Sequence, residues 1–489
     1  MPISHSRAWF VYCALVLLSI GALWLILALG EAWVSKNGMS SVQHAATTAP
    51  WFSDIWPGGF TDAFLTALHH PLSLLLAQVI VIVLCARGCG LLLQRFGQPR
   101  VIGEILAGIV LGPSLIGGIW PELGSALFPA ESLPKLNLLS QIGLVLFMFI
   151  VGMEVNISAL RSHAREALLV SHVSVAFPFL LGAALAIGLF DNYAPSGASF
   201  TTFALFMGIA MSVTAFPVLA RILMDRGLTK SPLGTLALTC AAVDDVTAWC
   251  LLAFIVAIAQ GGSALGASSI IVLALIYVAA MLWLARPLMK RFIGASEIDQ
   301  RVMAIVLMML LVSSLSTELI GLHALFGAFL AGVVMPQPEH LRRAIAARVE
   351  DVSTLILLPL FFAMTGLRTE VGLLNDLESW LICGLIIVVA VVGKLLGSAV
   401  TARWSGMRWS DSWALGVLMN TRGLMELVVL NLGYDLGILS AKLFTMMVIM
   451  ALLTTLMTGP LLSLIFRSQE GRPPEEFVER KSSPRGAAR

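Results

Sequence analysis

Charged residues are scarce in this chain. Asp, Glu, Lys and Arg together make up 12% of its 489 residues, whereas a soluble domain usually has about a quarter. Hydrophobic residues make up 58%, and the mean hydropathy is +0.93. This composition excludes a soluble enzyme and a disordered protein, and a net charge of +2 is too small for a nucleic-acid-binding surface. We therefore expect an all-α protein that crosses a lipid bilayer many times.

Cysteine is also rare, and no sequence motif is typical of a bound cofactor. The cysteines lie in apolar runs, without the spacing of a disulfide framework or of a zinc site. The sequence has neither a glycine-rich nucleotide loop nor a histidine–glutamate metal motif. We expect no cofactor and small buried side chains at the six cysteine positions, Cys13, Cys85, Cys89, Cys240, Cys250 and Cys383.

Long apolar runs predict fourteen transmembrane helices, because about 20 apolar residues cross a bilayer. The ninth and tenth runs are short and nearly fused. The predicted spans cover residues 8–30, 71–95, 99–118, 137–156, 166–190, 199–224, 233–260, 267–291, 300–316, 319–336, 352–370, 379–403, 412–433 and 440–467.

Basic residues are distributed unevenly between the loops. If the N-terminus is cytoplasmic and every predicted helix crosses the membrane, each cytoplasmic loop carries at least two Lys or Arg residues. The outer loops carry only Lys36, Lys135 and Arg368, with Lys442 just inside the last span. Cytoplasmic loops are enriched in Lys and Arg. The pattern predicts a multi-pass protein of the cell (inner) membrane with both termini in the cytoplasm.

The two ends of the chain differ from the middle. Residues 1–70 contain the first apolar run and a mixed external loop, and Ala28-Leu29-Gly30 is similar to a signal-peptidase site. A cleaved signal is one interpretation. The length of the apolar run favours the other, an extra N-terminal transmembrane helix. Residues 468–489 predict a short cytoplasmic tail.

Ionisable residues interrupt two of the predicted spans. Asp244 and Asp245 stand together in the seventh span, and Lys394 lies deep in the twelfth. Such residues are costly in lipid and usually functional. Adjacent helix positions point about 100° apart, so the two aspartates face different partners. One can bind a cation while the other pairs with a base, for which Lys394 is the candidate. The alternatives are a structural polar patch for the aspartates and snorkelling for the lysine.

Two further spans carry signs of a broken helix. The sixth contains Ser212, Thr214 and Pro217, and the proline removes a backbone donor. The thirteenth contains the segment Asn420-Thr421-Arg422-Gly423 followed by Glu426, four residues after the arginine. An ordinary proline kink and a structural salt bridge are the simpler explanations. In the predicted topology, however, the two spans run in opposite directions. Paired broken helices of opposed orientation are typical of an inverted-repeat secondary transporter.

Five segments of the chain carry recognisable motifs. They are 101–117 (VIGEILAGIVLGPSLIG), 212–223 (SVTAFPVLARIL), 241–252 (AAVDDVTAWCLL), 323–336 (HALFGAFLAGVVMP) and 418–433 (LMNTRGLMELVVLNLG). These segments resemble the monovalent cation:proton antiporter-2 family, close to the plant cation/H⁺ exchangers, and the resemblance covers about residues 71–467. It implies a thirteen-helix antiporter fold, a homodimer, and exchange of a monovalent cation for protons by alternating access. It also implies core helices at about 166–260 and 379–467, and dimerisation helices at about 71–156 and 300–370.

The resemblance also assigns roles to residues. Asp245 matches the family's cation-binding aspartate, and Asp244 matches the residue that pairs with the membrane lysine, here Lys394. Residues 214–217 and 420–423 match the crossing segments of the two broken helices. The plant exchangers have Asn-Asp where this chain has Asp-Asp, an acid pair typical of electrogenic sodium/proton exchangers. Na⁺ and K⁺ both remain candidate ions. The second acid favours an exchange of two protons for one cation, with electroneutral exchange as the alternative.

Three other functions fit parts of this pattern. A sodium-coupled symporter for an organic solute shares the broken helices but needs a larger polar pocket. An uncoupled cation channel or sensor shares the core without proton coupling. An intramembrane aspartyl protease needs two aspartates on separate helices, whereas Asp244 and Asp245 share one. We therefore expect a transporter rather than an enzyme.

Overall fold

A computed structural model of the protein describes residues 70–154, 164–228, 231–261, 264–293, 299–336 and 338–467. The predicted first span at 8–30 and the tail at 468–489 lie outside these residues. Within the described residues the chain is helical and contains no β-strand.

The first half of the described chain contains eleven α-helices. The last two are joined by a short π-helical segment, Met281–Ala285, into one continuous rod. The helices are α1 Pro71–Arg95, α2 Arg100–Leu111, α3 Ile116–Ile119, α4 Pro121–Leu127, α5 Leu133–Glu154, α6 Ala164–Tyr193, α7 Phe200–Ser212, α8 Phe216–Asp225, α9 Pro232–Gly261, α10 Ala264–Ala280 and α11 Arg286–Ile293.

The second half contains eight more α-helices. A π-helical segment, Ser353–Leu357, joins the third and fourth of them, and a 3₁₀ turn, Val371–Leu373, follows the fourth. The helices are α12 Gln300–Ile320, α13 Ala324–Val334, α14 Glu339–Val352, α15 Leu358–Leu367, α16 Leu377–Trp404, α17 Trp409–Met419, α18 Leu424–Asp435 and α19 Ala441–Arg467.

Eleven described helical runs are long and apolar enough to cross a membrane, and the bent pair α17–α18 makes a twelfth. They correspond to the predicted second to ninth and eleventh to fourteenth spans. The eleventh span begins earlier than predicted, because α14 continues through the π segment into α15. This agreement confirms the predicted all-α polytopic class.

The ninth and tenth predicted spans are the point of difference. The helix α12 ends at Ile320, four residues beyond the predicted end at 316. Gly321, with φ 91°, caps it in a left-handed conformation. His323 then caps α13 by accepting a hydrogen bond from the backbone N–H of Leu325. The helix α13 has 11 residues, so it is about 17 Å long, shorter than the hydrocarbon core of a bilayer.

The transmembrane helices pack as two groups. The first group consists of α6–α9 and α16–α19, and each half of it repeats the order long helix, broken pair, long helix. The second group consists of α1, α2, α5 and α12–α15. The two groups meet along a seam where α15 packs against α18, and α10 packs against both α9 and α12.

Glycines allow the helices of the second group to pack closely. A Cβ atom on Gly108 of α2 would collide with the backbone of Ala363 in α15. A Cβ atom on Gly332 of α13 would collide in the same way with Phe149 in α5. Small residues at helix contacts are how helices in lipid approach closely. These contacts give the second group a rigid frame beside the polar centre of the first.

Candidate functional site

The site forms where the two broken helices cross. The helix α7 ends at Ser212 and α8 begins at Phe216, while α17 ends at Met419 and α18 begins at Leu424. The backbone N–H of Ala215 donates to the carbonyl of Thr421 at 3.0 Å. The two non-helical segments therefore contact each other directly, and one backbone hydrogen bond joins them inside the protein.

Glycine is required at the crossing point. Gly423 has φ 157° and ψ −130°, a conformation that residues with a Cβ rarely adopt. A Cβ atom here would lie 2.7 Å from Cγ2 of Val218 in α8. Pro217 stands in the first turn of α8, where its missing N–H breaks no helical hydrogen bond. The break thus precedes the proline, and Pro217 does not kink a continuous helix.

Asp244 lies at the centre of a dense hydrogen-bond cluster. Its carboxylate is completely buried. It accepts hydrogen bonds from the hydroxyl groups of Ser171 at 2.6 Å, Ser174 at 2.7 Å and Thr214 at 2.8 Å. The Nζ atom of Lys394 lies 3.0 Å from Oδ2 in a fully buried ion pair. Both oxygens of Asp244 are therefore occupied by donors.

Lys394 is held as tightly as its partner. In addition to Asp244, its ammonium group donates to the backbone carbonyls of Ser174, at 2.9 Å, and Ser212. The Ser212 carbonyl lies at the end of α7, where the helix break leaves it without its usual partner. The lysine is completely buried and does not snorkel to an interface. It ties α16 to α6, to the end of α7 and to Asp244 on α9.

Asp245 has a different environment from its neighbour. It is 3% exposed, and its Oδ1 atom accepts no hydrogen bond from any residue that the structure describes. The Oδ1 atom of Asn420 in the second break has the same property. Buried polar atoms are almost always paired, and an unpaired carboxylate oxygen is costly. Of the two adjacent aspartates, Asp245 is thus the one with an unoccupied carboxylate oxygen.

Arg422 and Glu426 form a second buried ion pair, with Nη1 3.0 Å from Oε2. The guanidinium group also donates to the carbonyls of Ala210 at 2.9 Å and Met211 at 2.8 Å. These carbonyls belong to the last turn of α7, where a cation stabilises the negative end of the helix dipole. The hydroxyl of Thr455 donates to the Arg422 carbonyl at 2.8 Å. Arg422 therefore connects the second helix break to the end of α7, next to the first break.

The structure brings most of the predicted residues into one centre. Lys394, Ser212 and Thr214 all contact Asp244 or its partner, and Thr421 contacts the first break through its carbonyl. Sequence reasoning missed Ser171 and Ser174 on α6. The available signal was their spacing of three residues on a predicted span, which places both on one helix face. Serine is common within membrane helices, so this signal alone is weak.

The comparisons with known proteins cover about four fifths of the chain. The family described as sodium/hydrogen exchanger, transmembrane, matches residues 79–468. The Na⁺/H⁺ antiporter NhaS4 of Synechocystis is 46% identical over 402 residues, which cover 81% of this chain and 98% of that protein. Cation/H⁺ antiporter 17 of Arabidopsis thaliana is 38% identical over 82% of this chain, and K⁺/H⁺ antiporter 1 of Saccharomyces cerevisiae is 35% identical over 81%. The chain spans about half the length of these last two proteins, 49% and 47%.

A solved structure shows the same fold at low identity. The sodium proton antiporter MjNhaP1 from Methanocaldococcus jannaschii superposes with a TM-score of 0.63 at 13% sequence identity, over 81% of this chain and 99% of that one. The likeness confirms the antiporter fold, and the family match and the cyanobacterial relative confirm the resemblance found in the sequence motifs. The chain therefore belongs to the transmembrane sodium/hydrogen exchanger family of cation:proton antiporters.

Proposed function

We propose that this protein is a secondary active antiporter that exchanges a monovalent cation, Na⁺ or K⁺, for protons by alternating access. One observation carries the proposal: a buried carboxylate oxygen of Asp245 without a hydrogen-bond donor, beside two crossed helix breaks. Relatives named as Na⁺/H⁺ and K⁺/H⁺ antiporters support both candidate ions.

The contacts of Asp244 distinguish it from Asp245, which we assign as the carboxylate shared by the cation and a proton. Three hydroxyl groups and Lys394 occupy Asp244, so of the two aspartates Asp245 is the one with an oxygen left for an ion. A carboxylate that holds a proton has lost the charge that attracts a cation. Cation and proton therefore compete for Asp245, and each crosses only when the other has left.

The two helix groups support the rest of the mechanism. The first group carries Asp244, Asp245, Lys394 and both breaks, and we assign it the role of the moving core. The second group is assigned the role of the static dimerisation scaffold. Movement of the core against the scaffold would expose Asp245 to each side of the membrane in turn. The uneven distribution of Lys and Arg supports cytoplasmic termini in the cell membrane.

The test uses purified protein in liposomes that contain a pH-sensitive dye. Addition of Na⁺ or K⁺ should drive proton movement, and Asp245→Asn should abolish it while the protein remains folded and monodisperse. Asp376→Asn is the matched control, because Asp376 is an exposed aspartate that caps α16 away from the crossing. Normal exchange by Asp245→Asn would show that the ion site is wrongly assigned, and cation flux without proton movement would indicate a channel.

A further inference from the structure

Polar contacts join the two helix groups at one end of their seam. Nη1 of Arg368, which follows α15, lies 2.9 Å from Oδ1 of Asp435 at the end of α18. The same atom donates to Oδ1 of Asn431 at 3.0 Å. Asn431 in turn donates through Nδ2 to Oγ1 of Thr365 in α15 at 2.8 Å. We name these four residues the outer latch. They connect a scaffold helix to a core helix.

The residues of the outer latch differ in their exposure to solvent. The side chain of Thr365 is completely buried, whereas the side chains of Arg368 and Asp435 are 19% and 37% exposed. A cavity of about 30 Å³ lies on the seam, lined by latch residues together with His323 of α13 and Asn137 of α5. This volume is about that of one water molecule. The latch residues thus line a small space between the two groups.

The position of the latch relates it to the ion site. The helix α18 begins at the crossing and has 12 residues, so Asp435 lies about 18 Å along the helix from the break. The distribution of basic residues predicts that Arg368 lies in an outer loop. A second contact crosses the seam beside it, from the backbone N–H of Glu370 to Oγ1 of Thr445 in α19, at 3.1 Å. The outer end of the seam is therefore closed by side-chain contacts.

We propose that the outer latch is the outer gate of the transport cycle. Arg368 holds α15 against α18 while the outer side is closed. Its contacts with Asn431 and Asp435 break each time the core moves to expose Asp245 to the outside. This inference rests on the proposed function, because alternating access requires the seam to open.

The energetics of the contacts fit this role. An ion pair that is partly open to water contributes little net stability, and water replaces its hydrogen bonds when it opens. The fully buried pair of Lys394 and Asp244 is different, because separating buried charges is costly. A contact that breaks whenever the seam opens therefore suits the partly exposed Arg368, whereas the pair of Lys394 and Asp244 lies within the first helix group and does not cross the seam.

A reversible chemical link across the seam tests the gate. Arg368→Cys and Asp435→Cys are introduced into a chain whose six native cysteines are replaced, and a short bis-methanethiosulfonate reagent joins them. We expect loss of cation-driven proton movement in liposomes, with recovery after reduction. The matched control is Asp376→Cys with Lys442→Cys, which replaces another outer ion pair, at 3.2 Å, within the core group. Its link should leave the exchange rate unchanged.

The outcomes separate the gate from the function that it serves. If the wild-type protein does not exchange in the same liposomes, the proposed function is refuted and the gate with it. If mass spectrometry shows complete linking across the seam and exchange continues at the unlinked rate, the gate alone is refuted.

Labelling from outside provides a second measurement that does not depend on linking. Asn137→Cys places a thiol at the cavity that the latch residues line, and a membrane-impermeant reagent is added to the outside of cells. Arg368→Gln should increase the labelling rate, while Lys442→Gln should not. Equal labelling with and without Arg368 would contradict the gate.

Discussion

The buried pair of Lys394 and Asp244 makes a quantitative prediction about stability. Both side chains are completely buried, with Nζ 3.0 Å from Oδ2. Lys394→Met leaves the Asp244 carboxylate buried without its counter-charge, and breaking a buried pair in this way costs about 3–5 kcal/mol. Three hydroxyl groups continue to donate to Asp244. We therefore expect a loss at the lower end, about 3 kcal/mol.

The partner substitution and the double variant complete a thermodynamic cycle. Asp244→Asn keeps an oxygen for the serine hydroxyls, and Lys394 keeps the carbonyls of Ser174 and Ser212. The ammonium group nevertheless loses its counter-charge, so this variant is also destabilised. Asp244→Asn with Lys394→Met removes both charges and should be more stable than Lys394→Met alone. We expect a coupling free energy of about 2 kcal/mol.

The assay measures heat stability in detergent. Aliquots of each purified variant are heated, and the fraction that remains monodisperse is measured by size-exclusion chromatography. The control cycle uses Asp376→Asn and Lys442→Met, an exposed ion pair whose coupling should be near zero. If the loss in the Lys394 and Asp244 double variant equals the sum of the two single losses, the two charges do not interact, and the geometry described for the site is wrong.

Four further predictions concern transport. The proposed sharing of Asp245 by both ions predicts that the apparent cation affinity weakens as pH falls, by up to about tenfold per pH unit; a cation affinity that is independent of pH would contradict the shared site. Two-proton exchange, predicted from the acid pair, makes the rate depend on a clamped membrane potential, and Asp244→Asn should remove that dependence; a wild-type rate that ignores the potential would exclude two protons. Gly423→Ala should lower the exchange rate, and it should lower the heat stability by about 1–3 kcal/mol. Gly384→Ala, with open space at its Cβ position, should be neutral in the exchange assay and neutral or stabilising in the heat-stability assay. Hydrogen bonds, mainly from Ser379 and to a smaller extent from Lys442, lower the pKa of Asp376 to about 2. The stabilising effect of the Asp376 carboxylate is therefore lost only as pH falls from about 4 towards 2. Asp376→Asn should leave the pH profile of exchange between about pH 5 and 9 unchanged.

The sequence by itself determined the membrane class and, within the described residues, the order of twelve of the predicted spans. This is a local property, because each span must satisfy its own backbone hydrogen bonds in lipid and therefore needs a long apolar run. The same rule made Asp244, Asp245 and Lys394 conspicuous, since charges are rare in such runs. Resemblance to known motifs then distinguished the two aspartates, which composition and spacing alone left equivalent.

The short helix α13 shows where local reasoning was incomplete. Its apolar run predicted a span over residues 319–336, but the left-handed cap at Gly321 and the capping by His323 start the helix later. An apolar run has the same hydropathy whether the helix is buried in lipid or packed inside the protein. A helix packed between α5 and α12 is apolar for the second reason, and it does not need the length of a span.

Only the tertiary structure decided which groups occupy which atoms. Ser171 and Ser174 are 73 and 70 residues from Asp244 in the chain, and Arg422 is more than 200 residues from the carbonyls that it binds. No local pattern links such residues, because a serine or an arginine gives no indication of the distant backbone group that it will contact. The helices bring these groups together by packing, and packing leaves Asp244 saturated with donors and Asp245 with a free oxygen. The chemical difference between two neighbouring aspartates therefore arises from the directions in which one helix presents them and from what lies on each side.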